Sequence, residues 1–132
     1  MAGLHFEFVS PESVLFSGDV DQVDLPGTEG DMGILPGHAP LVTALRPGIV
    51  TVMAAGKREP FVVVGGFAEV GPGGLTILAD SATPRDAFDA ASLADEIRDA
   101  EEDVADAKDE QSRDRLAHRL EQLKTLQAAL SE

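Results

Sequence analysis

The 132-residue sequence contains no cysteine, no tryptophan and no tyrosine. Without cysteine there can be no disulfide bond, no thiol nucleophile and no thiolate metal site. The missing aromatic residues argue against sugar binding, which uses rings with polar edges. No apolar run approaches the roughly 18–20 residues that span a bilayer. The first seven residues also lack the basic and apolar regions of a signal peptide. We therefore expect no direct membrane insertion.

Positive charge is scarce. The chain has 10 lysine and arginine residues against 24 aspartate and glutamate residues, a formal net charge of −14. Phosphate backbones are bound by clustered cations, so we expect no nucleic-acid partner. The charge is uneven: residues 1–84 carry −7, residues 85–110 carry −8 and residues 111–132 carry +1. The C-terminal part thus has a strongly acidic half and a slightly basic half.

Glycine and proline are confined to the first two thirds of the chain. All 13 glycines precede residue 75, and all 8 prolines lie at or before Pro84. Between them lie short β-prone runs. In the first of these runs the apolar residues Leu4, Phe6 and Phe8 alternate with polar ones. Many short strands separated by such turns indicate an antiparallel sandwich or barrel. We predict an antiparallel β-sandwich over residues 1–84.

Beyond Pro84 the apolar period changes to that of helices. One stripe comprises Leu93, Ile97, Ala100, Val104 and Ala107, and a second comprises Leu116, Leu120, Leu123, Leu126 and Leu130. Asp89 and Ser112 are candidate N-caps, and the polar residues 108–112 separate the stripes. The pattern predicts an antiparallel two-helix hairpin over residues 88–132. The fold class is therefore α+β.

The hairpin stripes have two interpretations. The simpler one is that they hold the two helices together and onto the sandwich. The other is a movable hairpin whose second helix meets an acidic partner through its basic residues, namely Arg113, Arg115, Arg119 and Lys124. Asp114 and Glu121 dilute that positive charge, so long-range attraction would be weak and sensitive to salt.

No motif for catalysis or metal binding stands out. The glycine-rich residues 27–33 lack the Gly-Lys-Ser/Thr ending of a phosphate-binding loop, and a turn between strands is the better interpretation. Three acids near residue 20 do not follow the EF-hand pattern. The three histidines have no metal-ligand spacing. No serine lies in a Gly-x-Ser-x-Gly elbow. We expect no catalytic residue, metal ligand or cofactor, although a small β-sandwich hydrolase with a site assembled from distant residues is the less favoured alternative.

One segment is far more specific than these patterns. Residues 29–48 read EGDMGILPGHAPLVTALRPG, and within them Gly33–Pro40 reads GILPGHAP. This segment strongly resembles the epsilon subunit of bacterial ATP synthases, in which Gly-Ile-x-Pro-Gly-His-Ala-Pro is a hallmark. Shorter matches extend the resemblance over nearly all of residues 4–84. They are Val9–Glu12, Phe16–Gly18, Gly65–Val70 and Thr76–Asp80.

The resemblance implies a ten-stranded β-sandwich followed by a helical hairpin. It implies a non-catalytic rotor subunit of the central stalk, peripheral to the cytoplasmic face of the bacterial inner membrane. The implied partners are the gamma subunit, the c subunits of the rotor ring and, through the hairpin, the alpha/beta catalytic head. The turn of Glu29, Gly30, Asp31 and Met32 would face the ring, while Ser10 and His38 would lie toward gamma.

The resemblance is weakest at the start of the hairpin. Some family members bind ATP there through Ile/Leu-Asp-x-x-Arg-Ala, and the aligned residues here are Phe88–Leu93. Asp89 is present, but Ser92 replaces the arginine and Leu93 replaces the alanine. Losing the guanidinium removes the fork that engages phosphate. We therefore predict weak or no ATP binding, which disfavours a nucleotide-sensing module as the alternative function. The resemblance also implies that the hairpin can extend into the catalytic head and inhibit ATP hydrolysis.

Overall fold

The computed structural model describes residues 3–131. Ten strands come first, then a 3-10 turn at Arg85–Ala87 and two α helices, α1 (Ala90–Asp106) and α2 (Glu110–Leu130). The strands are β1 (Leu4–Val9), β2 (Val14–Val20), β3 (Gln22–Gly27), β4 (Gly30–Ile34), β5 (Leu41–Leu45), β6 (Gly48–Ala54), β7 (Lys57–Val63), β8 (Gly66–Gly71), β9 (Gly74–Ala79) and β10 (Ala82–Pro84). Neither helix of this described part is long and apolar enough to cross a membrane.

The strands form one sheet in the order β10-β7-β6-β3-β5-β8-β9-β1-β2, with β4 pairing β3. A single register pair, Gly27 with Leu45, joins β3 to β5. The sheet thus has two halves, and apolar residues from both enter one core. This confirms the predicted sandwich. The pairing is antiparallel except between β1 and β9, which run parallel. Local patterning did not indicate this one parallel pair, because it joins strands far apart in the chain.

The core follows the predicted alternation. Leu4, Phe6 and Phe8 are buried, while the intervening His5 is exposed. The rings of Phe6 and Phe8 lie 5.7 Å apart, and Phe8 meets Phe61 edge-to-face with centroids 5.2 Å apart. Such edge-to-face pairs add to the burial energy of each ring. The aromatic residues of β1 therefore anchor the sandwich from its centre.

The caps of the two helices were predicted with mixed success. Asp89 caps α1, since its side chain accepts a hydrogen bond from the Ser92 amide at 3.1 Å. Ser112 was expected to cap the second helix, and this was wrong. Asp109 is the cap, accepting from the Ser112 amide at 2.7 Å and from its hydroxyl at 3.0 Å. The connection is accordingly residues 107–109, and Ala107 lies just beyond α1.

The apolar stripes join the two helices to each other and to the sandwich. Val62 of β7 is buried in a second core together with Leu93, Ile97, Ala100, Leu123 and Leu126. Ile49, Val64, Phe88, Leu120 and Leu130 pack around it. The simpler interpretation of the stripes therefore describes this conformation. Leu116 and Val104, nearer the connection, are only half-buried.

Replacing Asp109 by alanine should lower the melting temperature by a few degrees, because two hydrogen bonds at the start of α2 are lost. Two hydrogen bonds lower the pKa of Asp109 below its ordinary value of 3.8. The bond from the Ser112 amide has the larger effect, and the bond from the Ser112 hydroxyl has the next largest. A lowered folded-state pKa means that this stabilisation is complete above that ordinary value and is lost as the pH falls through the folded-state pKa. Thermal unfolding of both proteins between pH 2 and 7 measures the difference.

Two control variants separate capping from charge at this position. Asp109→Asn keeps the cap acceptor but cannot titrate, so it should stay close to the original stability while losing that share of the acid sensitivity. Asp106→Ala removes an acid from the C-terminal end of α1 and should be neutral or slightly stabilising. Equal losses for Asp106→Ala and Asp109→Ala would contradict the capping role.

Candidate functional site

The turn between β3 and β4 is the exposed tip of the β-hairpin that these two strands form. Gly27 pairs with Gly30, so Thr28 and Glu29 form the tip, as predicted for this glycine-rich stretch. Gly30 has φ +139°, a conformation that favours glycine. The Thr28 amide donates to the Ala44 carbonyl at 3.0 Å, which ties the tip to β5. The turn is therefore a defined loop in which Glu29, Gly30 and Asp31 are exposed.

Arg46 crosses the base of this turn. Its guanidinium donates to the Gly27 carbonyl on one side and to the Asp31 carboxylate on the other. Its backbone amide donates to the Pro26 carbonyl at 2.9 Å. Glu29 makes no ion pair with any residue in the described range. Of the two predicted acidic contacts, only Glu29 is thus uncommitted.

The structure does not bring Ser10 and His38 together. His38 is exposed in the loop between β4 and β5, and its Nδ1 lies 2.7 Å from the Ala39 carbonyl oxygen. That loop lines a groove of about 430 Å³ together with His5, near the start of β1. Ser10 follows the other end of β1, where its amide donates to the Ser13 carbonyl at 2.9 Å. At about 3.3 Å per residue, β1 spans roughly 16 Å between them.

An apolar row runs across the outer face of five strands. The register places its members side by side, namely Val14 on β2, Val9 on β1, Leu78 on β9, Phe67 on β8 and Ala44 on β5. Phe67 is 59% exposed, Val14 65% and Leu78 54%. Val42, two residues from Ala44, is 69% exposed. Exposed contiguous apolar surface marks interaction sites.

This row was not predicted from the sequence. Phe67 and Leu78 occupy outward positions of their strands. Their apolar side chains at positions that alternate with buried residues were a local signal of this row. One end of the row is Ala44, whose carbonyl holds the β3–β4 turn. The other end lies at Val9 and Val14, beside Ser10 and the β1–β2 turn. The row therefore connects two of the regions that the sequence singled out.

Polar residues beside the row do not form a hydrolytic triad. His5 Nε2 lies 2.7 Å from Glu7 Oε2, and His5 Nδ1 lies 3.3 Å from Asp19 Oδ1. Ser17 donates its hydroxyl to Glu7 at 2.7 Å, and this bond, together with His5, lowers the pKa of Glu7. A triad needs the histidine next to the hydroxyl, whereas here a carboxylate stands between them. Residues 3–131 also contain no cluster of three metal-ligating side chains suited to an ion.

The basic residues of α2 mostly contact the hairpin itself. Arg119 lies 3.9 Å from Glu96, and Lys124 lies 3.8 Å from Glu101. Arg113 donates to the Ala107 carbonyl at 3.2 Å. Arg115 makes no ion pair within the described residues. In this conformation an external acidic partner would have to compete with these internal contacts.

The altered nucleotide motif lies at the junction of hairpin and sandwich. Asp89 and Ser92 line a cavity of about 390 Å³ that also borders Leu93, Glu96 and Arg119. The Asp89 carboxylate caps α1, and Arg119 is paired with Glu96. The cavity therefore presents two carboxylates and one arginine that is already engaged, which is a poor environment for phosphate.

Arg85, which precedes α1, contacts the C-terminal end of α2. Its Nη2 donates to the Leu130 carbonyl at 2.9 Å, in the last turn of α2. Cations and donors stabilise this end of a helix by satisfying its free carbonyls. The last turn of α2 is thus tied to the segment that follows β10.

Comparisons with known proteins point to one family. Residues 3–85 match the family model described as ATP synthase, Delta/Epsilon chain, beta-sandwich domain. The chain is 49% identical to an ATP synthase epsilon chain of Nitrobacter winogradskyi, covering 99% of this chain and 96% of that one. It is 47% identical to the ATP synthase epsilon chain of Afipia carboxidovorans, covering 96% and 93%.

Solved structures give the same result for the fold. A chain in the Euglena gracilis mitochondrial ATP synthase (OSCP/F1/c-ring, rotational state 1) superposes with a TM-score of 0.81 at 30% identity. That match covers 98% of this chain and 82% of the other. A chain from the central stalk and c-ring of the Tetrahymena thermophila enzyme has a TM-score of 0.62 at 12% identity, covering 93% and 95%. The second match supports the fold alone.

Proposed function

Since the chain belongs to the delta/epsilon family of ATP synthase subunits, we propose which of its surfaces carry out the work of that family. It is a non-catalytic rotor-stalk subunit of the ATP synthase complex. We propose that it sits peripherally at the cytoplasmic face of the bacterial inner membrane and docks on both gamma and the c-ring. The observation that carries this proposal is the exposed apolar row, whose end at Ala44 is hydrogen-bonded to the β3–β4 turn.

The row is proposed as the surface that binds gamma. It offers Phe67 and Leu78 at its centre, and aromatic anchors in desolvated patches dominate binding energies. Ser10 borders one end of the row, while His38 lies beyond the start of β1. Both lie at the margins of that face, so each would contribute to the rim of the interface and less to its centre.

The β3–β4 turn is proposed as the contact with the c subunits. Glu29 is its uncommitted charge, Gly30 allows its backbone conformation, and Asp31 is held by Arg46. Met32 is half-buried behind the tip. A turn held in this way loses little conformational entropy on docking. It can therefore transmit force with little local rearrangement.

Residues 1–84 are thus proposed as the coupling unit and residues 88–132 as a regulatory unit. The hairpin rests on β7 through Val62 and is tied by Arg85. We propose that it inhibits ATP hydrolysis when it leaves this position and reaches the alpha/beta head. Arg113, Arg119 and Lys124 would then exchange their contacts within the hairpin for acidic residues of the head, and Arg115 would join them there.

Reconstitution with gamma and the catalytic head tests both units. The full chain and a chain lacking residues 88–132 should both be retained by gamma, because the row lies outside the deleted segment. ATP hydrolysis should rise severalfold with the shortened chain if the hairpin inhibits. Loss of gamma binding by the full chain would contradict the docking proposal, and unchanged hydrolysis would contradict inhibition under those conditions.

Titration calorimetry of the full chain should detect ATP binding no tighter than the millimolar range. The cavity at Asp89 and Ser92 lacks a free guanidinium, and its carboxylates oppose phosphate. Ser92→Arg is the matched variant, since it restores the family motif at its arginine position and should bind more tightly than the original chain. A micromolar dissociation constant for the unmodified chain would refute this prediction.

A further inference from the structure

Arg46 has a role in the β3–β4 turn that local structure alone does not require. The turn already has its glycine at Gly30 and a backbone bond from Thr28 to Ala44. Arg46 adds bonds to both sides of the tip, at Gly27 and at Asp31. The planar guanidinium presents several donors in a rigid fork, which suits a bridge between two fixed acceptors. The two arms of the turn are thus held by one side chain.

The helical hairpin does not brace the turn. A groove of about 630 Å³ separates Asp31 and Met32 from Thr125 and Ala128 of α2. The hairpin therefore does not pack against this side of the turn. Arg46 also lines the groove, and its backbone is fixed by the bond to Pro26. The Arg46 backbone is thus held in place, and the guanidinium extends from it to the tip of the turn.

The ion pair contributes more to geometry than to global stability. The Asp31 side chain is 80% exposed and the Arg46 side chain 36%. Exposed pairs of this kind contribute little to folding. Pairing nevertheless neutralises Asp31 locally, so that the tip presents the single charge of Glu29. A partner would then meet one net negative charge at a fixed position.

We propose that Arg46 is a positioning residue for docking on the rotor ring. It holds the β3–β4 turn in its docking conformation and cancels the charge of Asp31, so that Glu29 alone selects a cationic or hydrogen-bond-donating group on the ring loops. This inference rests on the proposed contact between the turn and the ring, and it adds the residue that prepares the turn for that contact.

The test combines amide exchange with binding to the purified c-ring, using the full chain throughout. Arg46→Ala should raise the exchange rates of the Thr28 and Gly30 amides about tenfold, the scale of a lost charged hydrogen bond. It should weaken binding to the ring about tenfold as well, with the melting temperature nearly unchanged. Arg46→Lys keeps the charge without the fork and should recover part of both effects.

Two further variants make the outcomes separable. Arg58→Ala removes an exposed cation from β7, which lies in the sheet away from the turn, and should change neither readout. Glu29→Arg reverses the tip charge and tests ring contact directly. Unchanged amide exchange in Arg46→Ala overturns the positioning role. The positioning role is also overturned if Arg46→Ala speeds amide exchange but leaves ring binding unchanged while Glu29→Arg weakens ring binding. If neither Glu29→Arg nor Arg46→Ala alters ring binding, the ring contact itself is wrong, and the positioning role falls with it.

Discussion

Phe67→Glu is expected to weaken binding to gamma at least a hundredfold while the chain stays folded. Phe67 lies at the centre of the apolar row and is 59% exposed in the isolated chain. A carboxylate at this position is hydrated in the free chain but loses its water in an apolar interface. This desolvation costs about 3 kcal/mol or more of binding free energy. A hundredfold change in the dissociation constant corresponds to about 2.7 kcal/mol.

The same position is tolerant for folding. Surface substitutions away from special features change stability by about 0.5 kcal/mol or less, so the melting temperature should shift only slightly. Met53→Glu is the matched control, because Met53 is half-buried on the outer side of β6 and is register-paired with Arg58. Affinity is measured by calorimetry with purified gamma. Unchanged affinity in both Phe67→Glu and Leu78→Glu would show that the row is not the interface.

Leu126→Asp should release the hairpin from the sandwich. Leu126 is 1% exposed and lies in the cluster that contains Val62 and Leu93. The substitution removes a large apolar side chain and places a charge in its site, a combined loss of about 3 kcal/mol or more. The sandwich has its own core, built from both halves of the sheet. We therefore expect local undocking of the helices with the strands still protected.

Amide exchange distinguishes undocking from global unfolding. The amides of α1 and α2 should lose protection in Leu126→Asp, whereas those of β1 and β9 should keep it. Gln127→Asp is the control, because it adds the same charge at the neighbouring exposed position. In the reconstituted enzyme, Leu126→Asp also shows whether a freed hairpin changes ATP hydrolysis. Retained protection of α2 would contradict the view that Leu126 anchors it.

The helix caps show how far local patterns extend. Asp89 was identified as a candidate cap because it lies four residues before Leu93, the first member of the apolar stripe of α1. Asp109 and Ser112 are both good caps and lie three residues apart, and the leucine period of α2 fits a start at either one. The distinction depends on which side chain reaches a free amide. Asp109 does so in the folded hairpin, and the period of the stripe carries no such information.

Of the docking surfaces too, some were predicted from the sequence and others were found only in the structure. The segment Gly33–Pro40 identified the family, and the exposed turn at Glu29 was predicted correctly as a turn. The apolar row was missed, because it exists only when Val9, Leu78, Phe67 and Ala44 are aligned by the register of four strands. The Arg46 bridge was missed for a related reason. It joins residues 15 and 19 positions apart through a side chain.

By itself the sequence determined the two kinds of structure and their order, the buried face of β1, the apolar stripes of both helices and the family. The family follows from the resemblance carried by the segment Gly33–Pro40. The other features follow from periods of two and 3.6 residues and from local turn chemistry, which act between near neighbours. Only the tertiary structure decided the parallel pairing of β1 with β9, the outward apolar row, the commitment of Asp31 to Arg46 and the docking of α2 on β6 and β7. Each of these depends on register or on contacts between distant segments, which local preferences do not specify.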